Sequence, residues 1–187
     1  MKYPSYLKKT TEKTTNYSNR GMNLEEDINV TNDYYLQNNI AVIHKKPTPI
    51  SVHKVHYPNR LDAVITKAYY KTKSTTDYNG VYKGFYIDFE VKETKNKTSF
   101  PKRNIQNHQI KHMMKVYDHG GISFIIVQFS LLDEVYLITI DKFITKYNEK
   151  SSSISIDYFK KNGYLIDKKY MPRINYLSIV DILIEKD

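Results

Sequence analysis

The chain has 187 residues, no cysteine, and 29 lysine and arginine residues against 20 acidic ones, which gives a net charge of +9. This length suffices for one domain with a real hydrophobic core, and the charge favours a polyanionic partner, either nucleic acid or an anionic membrane. The composition excludes disulfides and thiolate zinc sites, and no apolar run approaches the ~18–20 residues of a membrane span. Because the N-terminus also lacks the apolar core of a signal peptide, we expect a cytoplasmic protein.

Residues 1–20 are predicted to form a flexible basic N-terminal arm, and residues 21–187 a single domain. The first helix is predicted to start at Asn23, an N-cap with Glu26 three residues on, as in a capping box. The stripe expected to be buried on this helix consists of Leu24, Ile28, Thr31 and Tyr35. A short buried strand is predicted over residues 40–44.

A basic segment follows over residues 45–74. It carries a single acid, Asp62, among three tyrosines (Tyr57, Tyr69 and Tyr70) and seven cations, which are Lys45, Lys46, Lys54, Arg60, Lys67, Lys71 and Lys73. Cations neutralise phosphates, and aromatic rings stack on unpaired bases. The residue types alone fit a DNA-binding element and an edge hairpin kept soluble by its lysines equally well.

Residues 87–92 alternate apolar and charged side chains, the pattern of a half-buried strand. Side chains two apart share a face of a strand, so Asp88, Glu90 and Lys92 point the same way. Asp77 lies upstream, with turn signals at residues 79–80 and 83–84 in between. A hairpin that closes near residues 83–84 would fold Asp77 back beside Glu90.

Two carboxylates in one pocket suit Mg²⁺, a hard cation that prefers oxygen ligands. Lys92 would either stabilise charge on a phosphate or activate a water as its own pKa falls. These groups together are the equipment of metal-dependent phosphodiester hydrolysis. Asp88, roughly 6.5–7 Å from Glu90 along the strand, is expected to support the site or to face DNA. An acid and a lysine two residues apart on a strand are nevertheless most often ordinary surface charge.

The remaining predicted elements are a helix over 104–119 that ends at a Gly-Gly pair, a buried central strand over 122–129, a strand near an edge over 134–140, short helices from Asp141 and from Ser155 to Gly163, and a last helix from about Asn175. Strands flanked by helices indicate an α/β fold.

Three stretches carry a family resemblance: SNRGM at residues 18–22, AVIHKKPTP at 41–49, and the run from STTDYNGVYKG at 74–84 through IDFEVKETKNKTSFP at 87–101. From about Tyr17 to Ile182 the chain resembles the RecU family of Holliday-junction resolvases, within the PD-(D/E)-x-K nuclease superfamily. Thr76 stands where the superfamily has proline before the first acid, as it does in RecU proteins. The resemblance implies a restriction-endonuclease-like fold, with a mixed sheet flanked by helices.

The resemblance also implies roles for individual residues. It assigns metal ligation to Thr75, Asp77, Glu90 and Gln109, and the transition-state role to Lys92, with Mg²⁺ as cofactor and Mn²⁺ as a substitute. It makes residues 45–74 a stalk that projects toward the centre of a four-way DNA junction, with Tyr70 near the crossover and the stalk's end. The expected DNA-binding residues are Lys45, Lys46, Arg60, Lys67, Tyr70, Lys71 and Lys73.

The implied activity is symmetric cleavage of four-way junctions in recombination and repair. Two symmetric cuts require a two-fold homodimer, with other recombination proteins as further partners and no membrane. Two other functions stay open, which are a different DNA nuclease of the same fold and a non-catalytic protein that binds junctions. The acidic pocket argues against the second of these, and the stalk argues against a nuclease of linear duplexes.

An alternative function for two of the histidines is to bind zinc. His108 and His112 lie four residues apart on a predicted helix, as two zinc ligands would. Gln109, however, stands where an HExxH pattern has glutamate, and phosphate or solvent contact is the commoner role for helical histidines near DNA.

Overall fold

The computed structural model describes residues 23–58, 63–71 and 74–185, so the arm predicted for residues 1–20 lies outside the described part. The helices are α1 (Leu24–Gln37), α2 (Asn107–Asp118), α3 (Ile140–Tyr147), α4 (Ile156–Asn162) and α5 (Leu177–Ile184), with a 3₁₀ turn at Lys102–Asn104. The strands are β1 (Val42–Lys45), β2 (Ile50–His56), β3 (Val64–Tyr70), β4 (Tyr78–Tyr82), β5 (Phe85–Thr94), β6 (Ser99–Pro101), β7 (Ile122–Phe129), β8 (Glu134–Thr139), β9 (Ser153–Ser155) and β10 (Tyr164–Leu165).

A six-stranded sheet in the order β1-β4-β5-β7-β8-β10 forms the centre of the molecule. Its β5 and β7 run parallel, and the other neighbours run antiparallel. Helices cover both faces: α1 and α5 pack on one, and α2, α3 and α4 on the other. The predicted α/β class, with a mixed sheet flanked by helices, is therefore confirmed.

The β2–β3 hairpin stands apart from this sheet, because within the described ranges its two strands pair only with each other. Of the side chains on its strands, only Val55 is even half-buried. The pairing of Ile50 with Tyr70 lies at the end that joins the core, and the pairing of His56 with Val64 lies at the opposite end. The described part of the basic segment thus contains an exposed antiparallel pair of strands, and its extension as a stalk toward a junction stays a prediction.

An aromatic column fixes β5 in the sheet. Phe89 has no exposed surface and stacks on Tyr78 of β4 and on Phe124 of β7, with ring centroids 5.0 and 4.9 Å apart. Tyr176, just before α5, closes the group from the helical layer, 5.1 Å from Phe89. Because Phe89 lies between Asp88 and Glu90 in the chain, this packing also fixes the strand that carries the charged residues.

The β4–β5 hairpin turns at Lys83 and Gly84, which both have positive φ (49° and 86°), as the prediction placed it. The second predicted turn, at residues 79–80, is wrong, because both residues belong to β4. Gly80 is required there by a close approach rather than by a turn. A Cβ atom on Gly80 would lie 2.0 Å from the carbonyl oxygen of Val42 in β1.

Two burial predictions also need correction. The strand predicted as buried over residues 40–44 is β1, an edge strand in which only Ile43 is buried. The strand predicted as half-buried, β5, is enclosed on both faces, and Asp88 and Glu90 have no exposed surface. Periodicity assigned the faces of β5 correctly, but the helix α2 packs over Asp88 and Glu90 and buries them, whereas Lys92 on the same face stays 24% exposed.

The helix predictions are largely confirmed. The Asn23 side chain caps α1 by accepting from the Glu25 amide, and the Ser155 hydroxyl caps α4, which ends at Gly163. The helix α2 is shorter than predicted, since the 3₁₀ turn precedes it, and the chain leaves it through Gly120 at φ +80°. No helix in the described ranges is long and apolar enough to cross a membrane.

We expect Phe89→Ala to lower the free energy of unfolding by about 3–5 kcal/mol, because it empties the centre of the aromatic column. Urea unfolding followed by circular dichroism measures this. Tyr170→Ala is the matched control, since Tyr170 is 95% exposed and its loss should change stability by no more than about 0.5 kcal/mol. Equal effects from the two variants would contradict the column's structural role.

Candidate active site

The hairpin register brings Asp77 and Glu90 together. Tyr78 pairs with Phe89 across β4 and β5, so the residue before the one and the residue after the other lie side by side. The Asp77 backbone amide donates to Glu90 Oε2 at 3.1 Å, and the Val91 amide donates to Asp77 Oδ2 at 3.1 Å. The predicted juxtaposition of the two acids is confirmed. The Glu90 carboxylate accepts from the backbone of Asp77, and the Asp77 carboxylate accepts from the residue after Glu90.

Lys92 completes this group from the same face of β5. Its ammonium forms an ion pair with Glu90 Oε1 and lies 3.5 Å from Asp77 Oδ2. The Lys92 side chain keeps about a quarter of its surface exposed, whereas Glu90 has none. Solvent therefore reaches this group through Lys92 and Asp77, which are 24% and 33% exposed, and not through Glu90.

The site raises the pKa values of both Glu90 and Lys92. Burial raises the pKa of Glu90 to about 7, and the Asp77 carboxylate adds to the rise while the Lys92 ammonium opposes it. Burial alone would lower the pKa of Lys92, but the Glu90 and Asp77 carboxylates outweigh it and raise that pKa. Lys92 is therefore held in its charged form, which favours charge stabilisation over the water-activating role that a falling pKa would have allowed.

Gln109, in the first turn of α2, reaches Glu90. Its side-chain nitrogen donates to Glu90 Oε1 at 2.6 Å, and its side-chain oxygen accepts from the Gln106 amide at 3.0 Å in the helix cap. Ligation of a metal by this oxygen requires the amide to rotate out of the cap. Thr75 lies two residues before Asp77, and its hydroxyl accepts from Lys46 at 3.1 Å.

These donors fit a hard divalent cation. Within the described residues no group of three or more His, Cys, Asp or Glu side chains is arranged to hold a metal. The ligand set that the family resemblance predicts instead combines two carboxylates with neutral oxygens from Thr75 and Gln109. Mg²⁺ is typically bound by one or two carboxylates, with water and substrate oxygens completing its shell. The residues present therefore suit Mg²⁺ better than a softer metal that prefers nitrogen or sulfur.

A second polar cluster centres on Asp88, two residues before Glu90 on the same face of β5. Its Oδ2 accepts from Lys46 at 2.7 Å and from the Tyr86 hydroxyl at 2.9 Å, and the Thr76 hydroxyl donates to Oδ1 at 2.5 Å. His112 Nε2, on α2, lies 3.2 Å from Oδ2. The sequence placed Asp88 on the face of Glu90, but no local pattern indicated these four partners.

The two helical histidines face different groups. His108 Nε2 lies 2.9 Å from the Ser74 carbonyl oxygen, while His112 contacts Asp88. Each ring thus joins α2 to a neighbouring element instead of sharing one metal with the other.

The predicted DNA-binding residues separate into three groups. Lys67, Tyr70 and Lys71 lie exposed on or next to β3, and Lys67 sits over the Tyr69 ring. Lys45 pairs with Glu25, and Lys46 turns its ammonium inward to Asp88. Arg60 and Lys73 lie outside the described residues.

Tyr70 is 84% exposed, but its predicted place near the stalk's free end is wrong. It pairs with Ile50, where the hairpin joins the core. Tyr57, which directly follows β2, is the exposed aromatic at the other end. The sequence alone did not show which tyrosine lies at the far end of the hairpin, because that depends on how the two strands pair.

Comparisons with known proteins place the chain in a family. The model of the family Recombination protein U matches residues 19–182. A protein of Staphylococcus epidermidis named Holliday junction resolvase RecU is 56% identical over 173 residues, which cover 90% of this chain and 83% of that protein. Its Staphylococcus aureus counterpart of the same name is 54% identical over 172 residues, with the same coverage.

A solved structure of Archaeoglobus fulgidus Hjc, a Holliday junction resolvase, aligns with 74% of this chain and 94% of its own, at 8% identity and a TM-score of 0.43. The match to the family model and the two staphylococcal relatives show the family directly: this chain belongs to the RecU family.

Proposed function

We propose that this chain is a Mg²⁺-dependent endonuclease that resolves four-way DNA junctions by symmetric phosphodiester cleavage in recombination and repair. One observation carries the proposal: Asp77, Glu90 and Lys92 form a single cluster of charged side chains, and Asp77 lies seven residues after the exposed strand β3. The acidic group supplies chemistry and the hairpin supplies DNA contact. The names of the two staphylococcal relatives support the choice of substrate.

Thr75, Asp77, Glu90 and Gln109 are the residues that would hold the cation, with Mn²⁺ as a substitute for Mg²⁺. When bound, such an ion neutralises charge on the phosphate and makes a coordinated water more acidic. Lys92 adds a fixed positive charge beside the two carboxylates, at a place where charge develops on the phosphate oxygens. The backbone amides of Asp77 and Val91 hold the carboxylates in place before substrate arrives.

The active form that we propose is a homodimer, because a four-way junction has near two-fold symmetry and resolution requires two matched cuts. The hairpins would engage the junction while each subunit cleaves one strand. Lys45, Lys67, Lys71, Arg60 and Lys73 are proposed to contact phosphates in a manner that is insensitive to sequence and weakened by salt. An enzyme of chromosomal recombination acts in the bacterial cytoplasm, beside further recombination proteins.

A direct test incubates the protein with a labelled four-way junction and with a linear duplex of matched sequence, in Mg²⁺ or in EDTA. Paired cuts in the junction that need Mg²⁺ are the expected result. Equal cutting of the duplex would indicate another nuclease of the same fold, and binding without cutting would indicate a non-catalytic junction-binding protein. Either outcome overturns the proposal.

Glu90→Gln and Lys92→Ala should each slow cleavage by about 10²–10³-fold or more, since each removes electrostatic stabilisation of the transition state. Junction affinity should stay within a few-fold, because it comes mainly from phosphate contacts elsewhere. Single-turnover rates and gel-shift titrations on the same junction measure the two quantities. The controls Glu149→Gln and Lys146→Ala remove a partly exposed ion pair of α3 and its C-terminal turn and should cut normally. Near-normal cutting by either active-site variant would move the site elsewhere.

Metal affinity should fall as the pH drops below about 7, the pKa of Glu90. The protonated carboxyl must release its proton before it can bind a cation, so affinity should decrease about tenfold per pH unit below that pKa. Calorimetric titration with Mn²⁺ at pH 8, 7 and 6 measures this. An aspartate or glutamate of ordinary pKa would give constant affinity over the same range, and such a result would contradict the raised pKa of Glu90.

Alanine in place of an exposed hairpin tyrosine, Tyr57 at the free end or Tyr70 at the base, should weaken junction binding or distortion more than binding to linear duplex. The reason is that only a junction offers interrupted stacking, worth about 1–3 kcal/mol per stacked base. Competition between junction and duplex at fixed salt measures the preference. Comparing Tyr57→Ala with Tyr70→Ala shows which end of the hairpin stacks on the bases. Tyr170→Ala is the control outside the hairpin. If every hairpin variant lowers both affinities by the same factor, the hairpin is only a basic patch.

A further inference from the structure

Asp88 joins the elements from which the metal ligands come. Its carboxylate has no exposed surface and contacts four side chains. Lys46 precedes the hairpin, Thr76 follows it, Tyr86 belongs to β5, and His112 belongs to α2. One buried carboxylate thus connects four parts of the chain: the segment before the hairpin, the segment after it, the central strand β5 and the helix α2.

The proposed ligands lie on three parts of the chain: the segment before β4, the strand β5 and the helix α2. Asp88 lies in or contacts each of them close to the ligand it carries. Thr76, which donates to Asp88, lies between the proposed ligands Thr75 and Asp77. Asp88 itself lies two residues before Glu90, on the same face of β5.

The third element is α2. His112, which contacts Asp88, lies three residues after Gln109, so the two side chains project from one side of the helix. A change at Asp88 therefore reaches every proposed ligand through one intervening residue or one helical turn.

Lys46 reinforces the same arrangement. Its ammonium donates to the Thr75 hydroxyl at 3.1 Å and to the Thr76 hydroxyl at 2.5 Å, as well as to Asp88. Its backbone amide donates to the Asp77 carbonyl oxygen at 2.8 Å. The side chain is only 16% exposed, so its charge is directed at the ligand-bearing segment and not at the surface where phosphates bind.

We propose that Asp88 is a positioning residue that sets the geometry of the metal site, with Lys46 and His112 as its partners. The inference rests on the proposed function, because it concerns the metal of that same site. Asp88 does not touch the cation or the DNA: it is enclosed, both its oxygens are occupied by donors, and it lies one strand repeat away from Glu90. Lys46 is accordingly removed from the phosphate-binding set.

Partners that orient metal ligands typically change metal affinity or activity by about 10–100-fold when they are removed. We therefore expect Asp88→Asn and Lys46→Met to raise the Mg²⁺ concentration for half-maximal junction cleavage by about tenfold or more. Saturating Mg²⁺ should recover most of the maximal rate, because the ligands themselves remain. Asp77→Asn, which removes a ligand, should stay slow at any Mg²⁺ concentration.

The experiment measures three quantities for each folded variant: the Mg²⁺ dependence of junction cleavage, Mn²⁺ affinity by calorimetry without DNA, and junction affinity in EDTA. The matched control is Asp133→Asn, which removes an aspartate from an exposed ion pair and should change none of them. His112→Leu should weaken Mn²⁺ binding, and His112→Gln, which keeps an N–H group near the position of Nε2, should restore it. Thermal unfolding verifies that every variant is folded at the assay temperature.

Weakened Mn²⁺ binding with unchanged junction affinity supports the proposal. Unchanged metal dependence in Asp88→Asn overturns it, as does a cleavage defect that saturating metal does not relieve, because that result would make Asp88 a ligand. A loss of junction affinity in Lys46→Met would return Lys46 to the DNA-binding set and also overturn its positioning role. If the wild-type protein binds Mn²⁺ but never cuts the junction, the proposed function fails, while the calorimetry still decides the role of Asp88.

Discussion

The site depends on one constraint, which is that two carboxylates are buried in the central strand β5. A buried carboxylate is costly unless it is paired and hydrogen-bonded, so Asp88 and Glu90 require donors from the surrounding elements. Lys46 and Thr76 donate hydrogen bonds to Asp88. Lys92, Gln109 and the Asp77 backbone amide donate to Glu90. The helix α2 and both chain segments that flank the hairpin are thereby attached to β5 through polar contacts. Apolar packing alone would fix the helix against the sheet, but it would not fix the position of each charged side chain.

The two faces of β5 divide the work between stability and chemistry. Phe89 and its stacked neighbours lie on one face, and the charged residues lie on the other. Because residues two apart on a strand keep a fixed spacing, a well-packed apolar face holds the spacing of the charged face. The β2–β3 hairpin has the opposite character: apart from Val55 its strand side chains are exposed, and within the described residues its strands pair only with each other. A rigid charged cluster and an exposed pair of strands are thus built from adjacent parts of one chain.

Patterns along the chain predicted the elements better than their surroundings. The alternation in β5, the turn at Lys83 and Gly84 and the cap at Asn23 are encoded in neighbouring residues, and each is confirmed. The burial of β1 was predicted wrongly because an apolar run does not reveal whether a strand lies in the middle of a sheet or at its edge. The inward turn of Lys46 escaped prediction for a related reason, since Asp88 lies 42 positions away in sequence. Periodicity identifies the face of an element, whereas long-range contacts determine what covers that face.

The raised pKa of Glu90 links the chemistry of the site to the stability of the fold. A glutamate whose pKa rises from 4.5 to about 7 on folding leaves the native state with more bound protons than the unfolded state between those values. The contribution of this group to stability therefore falls as the pH rises through that window, and it is least favourable above pH 7. A cation that binds the ionised carboxylates of Asp77 and Glu90 favours the charged form and so offsets this loss, because a ligand that binds only the native state stabilises it. The same burial that weakens the fold at neutral pH is therefore the cost that a divalent cation at the proposed metal site would offset.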